Sequence, residues 1–351
     1  MTTIRGEPKA DNLELSNTLQ TQLETIPIAY DKHFNRIYQN QLPIHIFGTG
    51  SEGNSVYIKP YRTLIDLGLS YKKYIAYDQN FFKQVDNIIL THAHRDHLNP
   101  SAFIRVMNEC PHIHVYMHPF MWQHLTSSHY KPKYKRIKNI DMTKLIYDKN
   151  RYMEKGYDID KNGERILESL PWRDKFEKIG NRISFIEAKG QYQLHIRDLK
   201  NIYFYPLTTK HGDLINIAIR LFDQNTNLRW FYASDLDNLS THSVMFTDKF
   251  MQEQIATGLS PTDYYDCMLL EANYDENILQ QHIEQLESQY LDNQGNVLDK
   301  AYYNQKFRAD SNLRHISEQK AFAYVQEHLV EKGLFIPLHA SKTFGTLWQN
   351  N

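Results

Sequence analysis

Cysteine is nearly missing from this chain, which has Cys110 and Cys267 alone among 351 residues. Two thiols cannot build a disulfide framework. Both sit among apolar neighbours, so they read as reduced core residues of a cytoplasmic protein. Long apolar runs are missing as well. No stretch approaches the ~20 residues that a membrane helix needs. The opening "MTTIRGEPKADNLELSN" has no apolar run behind its first charges, so no secretory leader is expected. Neither charge dominates: 40 Lys+Arg stand against 41 Asp+Glu, a formal net charge of -1. No global field therefore draws the chain to nucleic acid or to an anionic membrane, and any such binding has to be local. There is no repeat at a solenoid period and no low-complexity tract. A Gly-x-Ser-x-Gly elbow is absent, and no cysteine–histidine pair offers a thiolate nucleophile.

Histidine is plentiful, with 17 residues, and so is tyrosine, with 24. The length fits one large domain or two small ones. Residues 1–40 are polar and read as an N-terminal extension, with "LELSNTLQTQLETI" spaced as one amphipathic helix. From residue 41 to 351 the texture is that of a single α/β domain. Strands are expected at "PIHIF", "VYIK", "TLIDLGLS", "VDNIIL" and "HIHVYMH", with a helix starting at Pro100. The rhythm breaks at about 123–200, read as an insertion or cap. Strands return at "RISFIEA", "YQLHIRD", "IYFYPLTTKH", "INIAIRLF", "RWFYASD" and "DCMLLEAN". Residues 276–330 look mostly helical, "SEQKAFAYVQEHLVEKG" among them, and "LFIPLHAS" closes the domain as a strand.

The stretch "THAHRDH", Thr91 to His97, packs three histidines and one aspartate into seven positions directly behind the apolar "NIIL". A loop at the end of a buried strand is where an α/β protein places its chemistry. His92 and His94 are two apart, so an extended segment points them the same way. Asp96 and His97 fall on the turn beyond and are placed to reach a second metal. His211, Asp235 and His339 each follow another apolar β-like run. All seven groups are therefore expected to converge on one rim, where so many polar side chains without a cation would be costly to bury.

In the order "LIDLG", "THAHRDH", "TKHGD", "ASD" and "PLHAS", these segments resemble the motifs of the metallo-β-lactamase superfamily. The resemblance is nearer to a branch of small cytosolic metallo-hydrolases that includes a bacterial single-domain exonuclease. That branch's Gly-Ser-Gly-Asn start is similar to "GTGSEGNSVYI", its Leu-Glu-Asn segment to "LLEANYD" and its Gly-His-Leu-Ser segment to "RHISEQKAF". The likeness runs over Leu42 to Cys110, Ile202 to Asp275 and Phe307 to Gly345. It implies an αββα sandwich of two mixed sheets flanked by helices, with metals at one edge. It also implies a two-metal site. His92, His94 and His211 would hold one ion, Asp96, His97 and His339 the other, and Asp235 would bridge them. Asp66 would orient a ligand histidine. The chain departs from the branch at Gly212, at Arg314 and after His339, where "HASKTFG" stands in place of asparagines. These departures bear on the substrate more than on the metals.

Two divalent ions, zinc or manganese with iron as a further choice, suit histidine and carboxylate ligands. Sharing a hydroxide between them makes the reaction a hydrolysis with no protein nucleophile. The leading expectation is a phosphodiesterase acting on nucleic acid or a (cyclic) nucleotide. Asp96, His315 and Asp66 are its catalytic candidates, with His315 placed to protonate the leaving oxygen. Asn273, Lys342, Lys133, Lys135 and Arg136 are candidate substrate contacts. The last three belong to "HYKPKYKRIK", where cations alternate with tyrosine as on a strand-tracking surface. "KAYYNQKFR" repeats that flavour at Tyr302, Tyr303, Lys306 and Arg308. A lactonase or thioesterase using the same metals is the alternative, and a non-catalytic metal-binding scaffold ranks third.

Overall fold

Most of the expected apolar runs pair into sheets, because each has one face for a second sheet and one for a helix. A computed structural model describes residues 29–37, 42–50, 52–118, 121, 157–159, 165–167, 182–186, 191–211, 214–236, 264–292, 294–339, 341 and 343–347. In chain order the first elements are β1 (Ala29–Tyr30), β2 (Arg36–Ile37), β3 (Ile44–Gly48), β4 (Ser55–Ile58) and β5 (Thr63–Ile65). Helices α1 (Tyr71–Tyr77) and α2 (Phe81–Gln84) follow, then β6 (Asn87–Ile89), α3 (Pro100–Glu109) and β7 (His114–Met117). Next come β8 (Tyr157–Ile159), β9 (Arg165–Leu167), β10 (Ile183–Phe185), β11 (Tyr192–Gln193), β12 (Ile202–His211), β13 (Leu214–Asp223), β14 (Leu228–Ala233) and β15 (Tyr265–Glu271). The chain then forms α4 (Glu276–Tyr290), α5 (Ala301–Asn312), α6 (Glu318–His328) and β16 (Leu329–Leu338).

The strands make an eight-stranded sheet, β11-β12-β13-β14-β15-β16-β1-β2, and a six-stranded sheet, β10-β7-β6-β5-β4-β3, while β8 and β9 pair with each other alone. Both are mixed. In the smaller sheet β5, β6, β7 and β10 are parallel, while β3, β4 and β5 run antiparallel. In the larger one β14, β15 and β16 are parallel and the flanking pairs antiparallel. Period-two alternation sorts the side chains. Ile89 of β6 faces the other sheet, packing with Ile65, Ile219, Leu269 and Ile336. Its neighbour Ile88 faces Tyr74, Phe103 and Val106 of α1 and α3. Helix α6 covers the far side of the larger sheet, with Ala321 and Val325 against Phe231, Met268 and Phe335. The result is the αββα sandwich that the motifs implied. Each fully buried Ile or Phe in these layers contributes roughly 1.5–3 kcal/mol. No helix among the described residues is long and apolar enough to cross a membrane.

Helix α3 begins at Pro100 as expected, with the Asn99 side chain accepting from the Ala102 N–H as its cap. One expected element differs. The helical reading of "SEQKAFAYVQEHLVEKG" ends early, because Leu329 already begins β16 and pairs with Tyr265. Leu329 is fully buried, and a register shift between Tyr265 and Cys267 accommodates the charged residues that follow it. Residues 29–37, within the segment read as an extension, add two strands beside β16. The amphipathic helix read at "LELSNTLQTQLETI" and the basic segment "HYKPKYKRIK" lie outside the described residues.

Candidate metal centre

Parallel pairing sets one rim of the smaller sheet. Ile65 lies level with Ile89, so Asp66 after β5 and Leu90-Thr91 after β6 leave the sheet side by side. Asp66 is fully buried. It accepts from the Thr91 N–H at 2.8 Å and the Thr91 hydroxyl at 2.8 Å, and its Oδ2 lies 2.7 Å from His97 Nδ1. A carboxylate there keeps the proton on Nδ1 and turns Nε2 of His97 outward as a lone-pair donor. His94 starts a tight turn whose carbonyl accepts from the His97 and Leu98 N–H groups at 2.9 and 2.8 Å. That turn packs so closely on Gly68 that a Cβ on residue 68 would sit 1.6 Å from the Asp96 carbonyl oxygen. Gly68→Ala is therefore expected to push Asp96 aside, costing ~2–3 kcal/mol of stability. Urea unfolding and metal content measured on one preparation check this. An unchanged midpoint would contradict the contact.

The larger sheet brings the remaining groups. His211 ends β12, and its ring lies 5.1 Å from that of His94 and 5.6 Å from that of His92. Asp235 follows β14 and is held by Asn216, whose side-chain amide donates to the Ser234 and Asp235 carbonyls at 2.6 and 2.8 Å. His339 follows β16 directly, and its N–H donates to the Thr49 hydroxyl. Asp66, Asp235 and His339 have φ of 61°, 55° and 53°. A left-handed residue without glycine's freedom costs ~1–2 kcal/mol, and such residues gather where function requires a side chain aimed off a strand end.

Three groups of potential ligand atoms result: His92, His94, His211 and Asp235; Asp96, His97 and Asp235; and Asp235, Glu271, His315 and His339. Within each, the atoms lie within 4.8 Å of one another. Asp235 belongs to all three. Its Oδ2 is 2.7 Å from His97 Nε2 and 3.3 Å from His92 Nε2. Its Oδ1 is buried without a hydrogen bond, 3.4 Å from His339 Nδ1. An orphaned buried carboxylate oxygen amid imidazole nitrogens is the donor chemistry of a divalent cation site, and these residues fit one. His339 stands beside Glu271 and His315 rather than in one tight group with Asp96 and His97.

Electrostatics divide the histidines in two. Burial, seconded by neighbouring imidazoles, pushes His92 down and His94 down to about 3. Burial also lowers His211, so all three are neutral and present lone pairs. For His97 burial acts downward, yet Asp235 and Asp66 outweigh it and raise the ring well above its usual value. His339 is raised to about 9, burial being overcome by Asp235 and Glu271. His315 is raised as well, against burial, by Glu271, whose Oε1 lies 2.6 Å from its Nδ1. Burial opposes charge on Asp235 and Glu271, but the facing histidines hold both carboxyls below their ordinary values. The facing carboxylates thus favour protons on His97, His339 and His315, and a cation that takes His97 or His339 as a ligand has to displace one.

Asp96 is a quarter exposed, its Oδ2 3.8 Å from His97 Nε2. Asn273 is nearly buried, and its side-chain amide donates to the His339 carbonyl at 2.6 Å, so it holds a candidate ligand. Lys342, Lys133, Lys135 and Arg136 lie outside the described residues, as does Gly212. Sequence reading passed over Asn54 and Asn216. The Asn54 N–H donates to the Asp96 carbonyl at 2.6 Å, and its side-chain amide nitrogen lies 2.8 Å from His97 Nε2. Its signal was an amide side chain directly after the last glycine of "GTGSEGNS". Asn216 carries no such mark, being one polar position in an apolar strand.

Two mixed sheets, helices on both outer faces and a histidine–aspartate cradle at one edge make this a metallo-β-lactamase-like fold with a candidate metal centre. Solved structures of that fold are similar to it. The metallo-β-lactamase fold protein YhfI from Bacillus subtilis is 15% identical with a TM-score of 0.34, over 67% of this chain and 72% of that one. The short form of human tRNase Z is 12% identical with a TM-score of 0.40, over 85% and 92%. A diphosphatase of the PhnP family is 11% identical with a TM-score of 0.38, over 88% and 89%. No family model and no curated protein matches the chain. At these values the chemistry rests on the side chains themselves.

Proposed function

We propose that the chain is a two-metal hydrolase of phosphodiesters, acting on nucleic acid or a nucleotide, cyclic nucleotides included. The observation that carries this reading is Asp235, shared by three close groups of donors on one rim. His92, His94 and His211 would hold one ion and Asp96 and His97 the other, with Asp235 reaching both and also the neighbouring group of His339, Glu271 and His315. When bound, two divalent ions supply a hydroxide at neutral pH and a positive clamp for the developing oxyanion. Asp66 fixes the tautomer of His97. Glu271, fully buried, holds the Nδ1 side of His315 and favours the charged ring. His315, partly exposed at the rim, donates its Nε2 proton to the leaving oxygen, and its charge faces a non-bridging phosphate oxygen.

The test incubates the purified chain, with manganese or zinc, against bis(p-nitrophenyl) phosphate, single- and double-stranded DNA, RNA and cyclic nucleotides. His94→Ala is the paired control, and removing this ligand is expected to lower turnover by about a hundredfold or more. Turnover of carboxylic esters, lactones or thioesters alone would replace this reading with the lactonase or thioesterase one.

A further inference from the structure

Helix α5 has two faces of opposite character. Tyr302 and Ala309 are buried, packing with Tyr274, Leu286 and Phe344. On the other side Tyr303 is 62% and Phe307 65% exposed. Four residues apart, these rings lie on one stripe. The helical path continues past Asn312, because the Leu313 and Arg314 N–H groups bond to the Asp310 and Ser311 carbonyls at 3.1 and 3.3 Å. Arg314, seven residues beyond Phe307, therefore extends the stripe and is exposed. The next residue is His315, whose Nδ1 lies 2.6 Å from Glu271 at the metal centre. From Tyr303 to Arg314 the stripe is ~16 Å long, room for several stacked nucleotides at ~3.4 Å each.

Its charge suits a polyanion. Lys300, Lys306, Arg308 and Arg314 stand against Asp299 and Asp310. Asp310 is engaged by Lys306 at 3.1 Å, and Asp299 accepts from the Ala301 N–H at 2.8 Å. Glu287 of the adjoining α4 also acts on Lys306, so the positive excess beside the exposed rings rests on Lys300, Arg308 and Arg314. A second copy of the chain docked face to face here would set these cations against one another.

We propose that this stripe is a stacking platform that leads single-stranded nucleic acid toward the metal centre. The proposal rests on the phosphodiesterase reading and narrows it to a polymeric substrate. Bases lie on Tyr303 and Phe307 while Arg314 and Lys300 meet backbone phosphates.

Fluorescence anisotropy with a labelled, phosphorothioate-linked ten-nucleotide thymidine strand measures affinity on the full chain with its metals. The Tyr303→Ala, Phe307→Ala double variant is expected to bind at least about tenfold more weakly. Phe307→Trp keeps a π-face and stays within about twofold of the parent. Phe307→Leu keeps apolar bulk without that face and binds like alanine. Parent-like affinity in the double variant, or no binding by the parent, overturns the platform. So does a sedimenting dimer that the double variant abolishes, since the face would then serve a second copy. Turnover of bis(p-nitrophenyl) phosphate by the parent tests the phosphodiesterase reading separately, because binding of the thymidine strand decides the platform whatever that assay gives.

Discussion

Asp235→Asn is expected to lower phosphodiester hydrolysis at least about a thousandfold, some 4 kcal/mol of transition-state stabilisation. It is also expected to reduce bound metal from two ions per chain to one or none. Asparagine has the shape of aspartate and tolerates the left-handed backbone that φ of 55° requires, so the chain path survives. What disappears is the one negative charge common to all three donor groups. Its Oδ2 lies 2.7 Å from His97 Nε2 and its Oδ1 3.4 Å from His339 Nδ1, so a neutral amide removes one of the two carboxylates facing each ring and leaves only Asp66 and Glu271 beside them. Elemental analysis of the purified variant, beside its circular dichroism, gives the answer. Two ions retained, with turnover within tenfold of the parent, would remove Asp235 from the centre.

Asp66→Ala should be the most damaging change to the fold around the site. Three donors, the Thr91 N–H and hydroxyl and the His97 ring, lose a fully buried acceptor at once. Each unsatisfied donor costs about 1–3 kcal/mol, and alanine at φ of 61° adds about 1 more. Partial relaxation brings the expected loss to about 3–5 kcal/mol in chemical denaturation. Asp66→Asn separates structure from tuning. Its amide oxygen still accepts from Thr91, but the charge that holds the proton on His97 Nδ1 is gone. Metal affinity is then expected to fall about 10–100-fold with a smaller loss of stability. Equal stability losses in the two variants would show that Asp66 serves packing alone.

These expectations draw unequally on the sequence. Short continuous apolar runs such as "NIIL" announced strands, because a strand buried on two faces has no polar side to alternate. The cluster at His92–His97 announced itself by composition. The later groups were legible as polar residues behind apolar runs, His211, Asp235 and His339 alike. What the sequence hid were contacts that depend on the third dimension. Nothing in "EAN" shows that Glu271 reaches His315 forty-four positions on. Nothing in "INIAI" shows that Asn216 clamps the carbonyl of Asp235. The early end of α6 was hidden for a related reason. "LVEKG" is locally helical in texture, and burial of Leu329 beneath that helix overrides its propensity.

The cradle draws His92, His94, Asp96 and His97 from one layer of the sandwich and His211, Asp235 and His339 from the other. Two of the three donor groups, His92, His94, His211 with Asp235 and Asp96, His97 with Asp235, take atoms from both layers, while Asp235, Glu271, His315 and His339 gather from the larger sheet's side alone. On the proposed two-metal reading, a complete grip on both ions therefore waits until the two layers have closed.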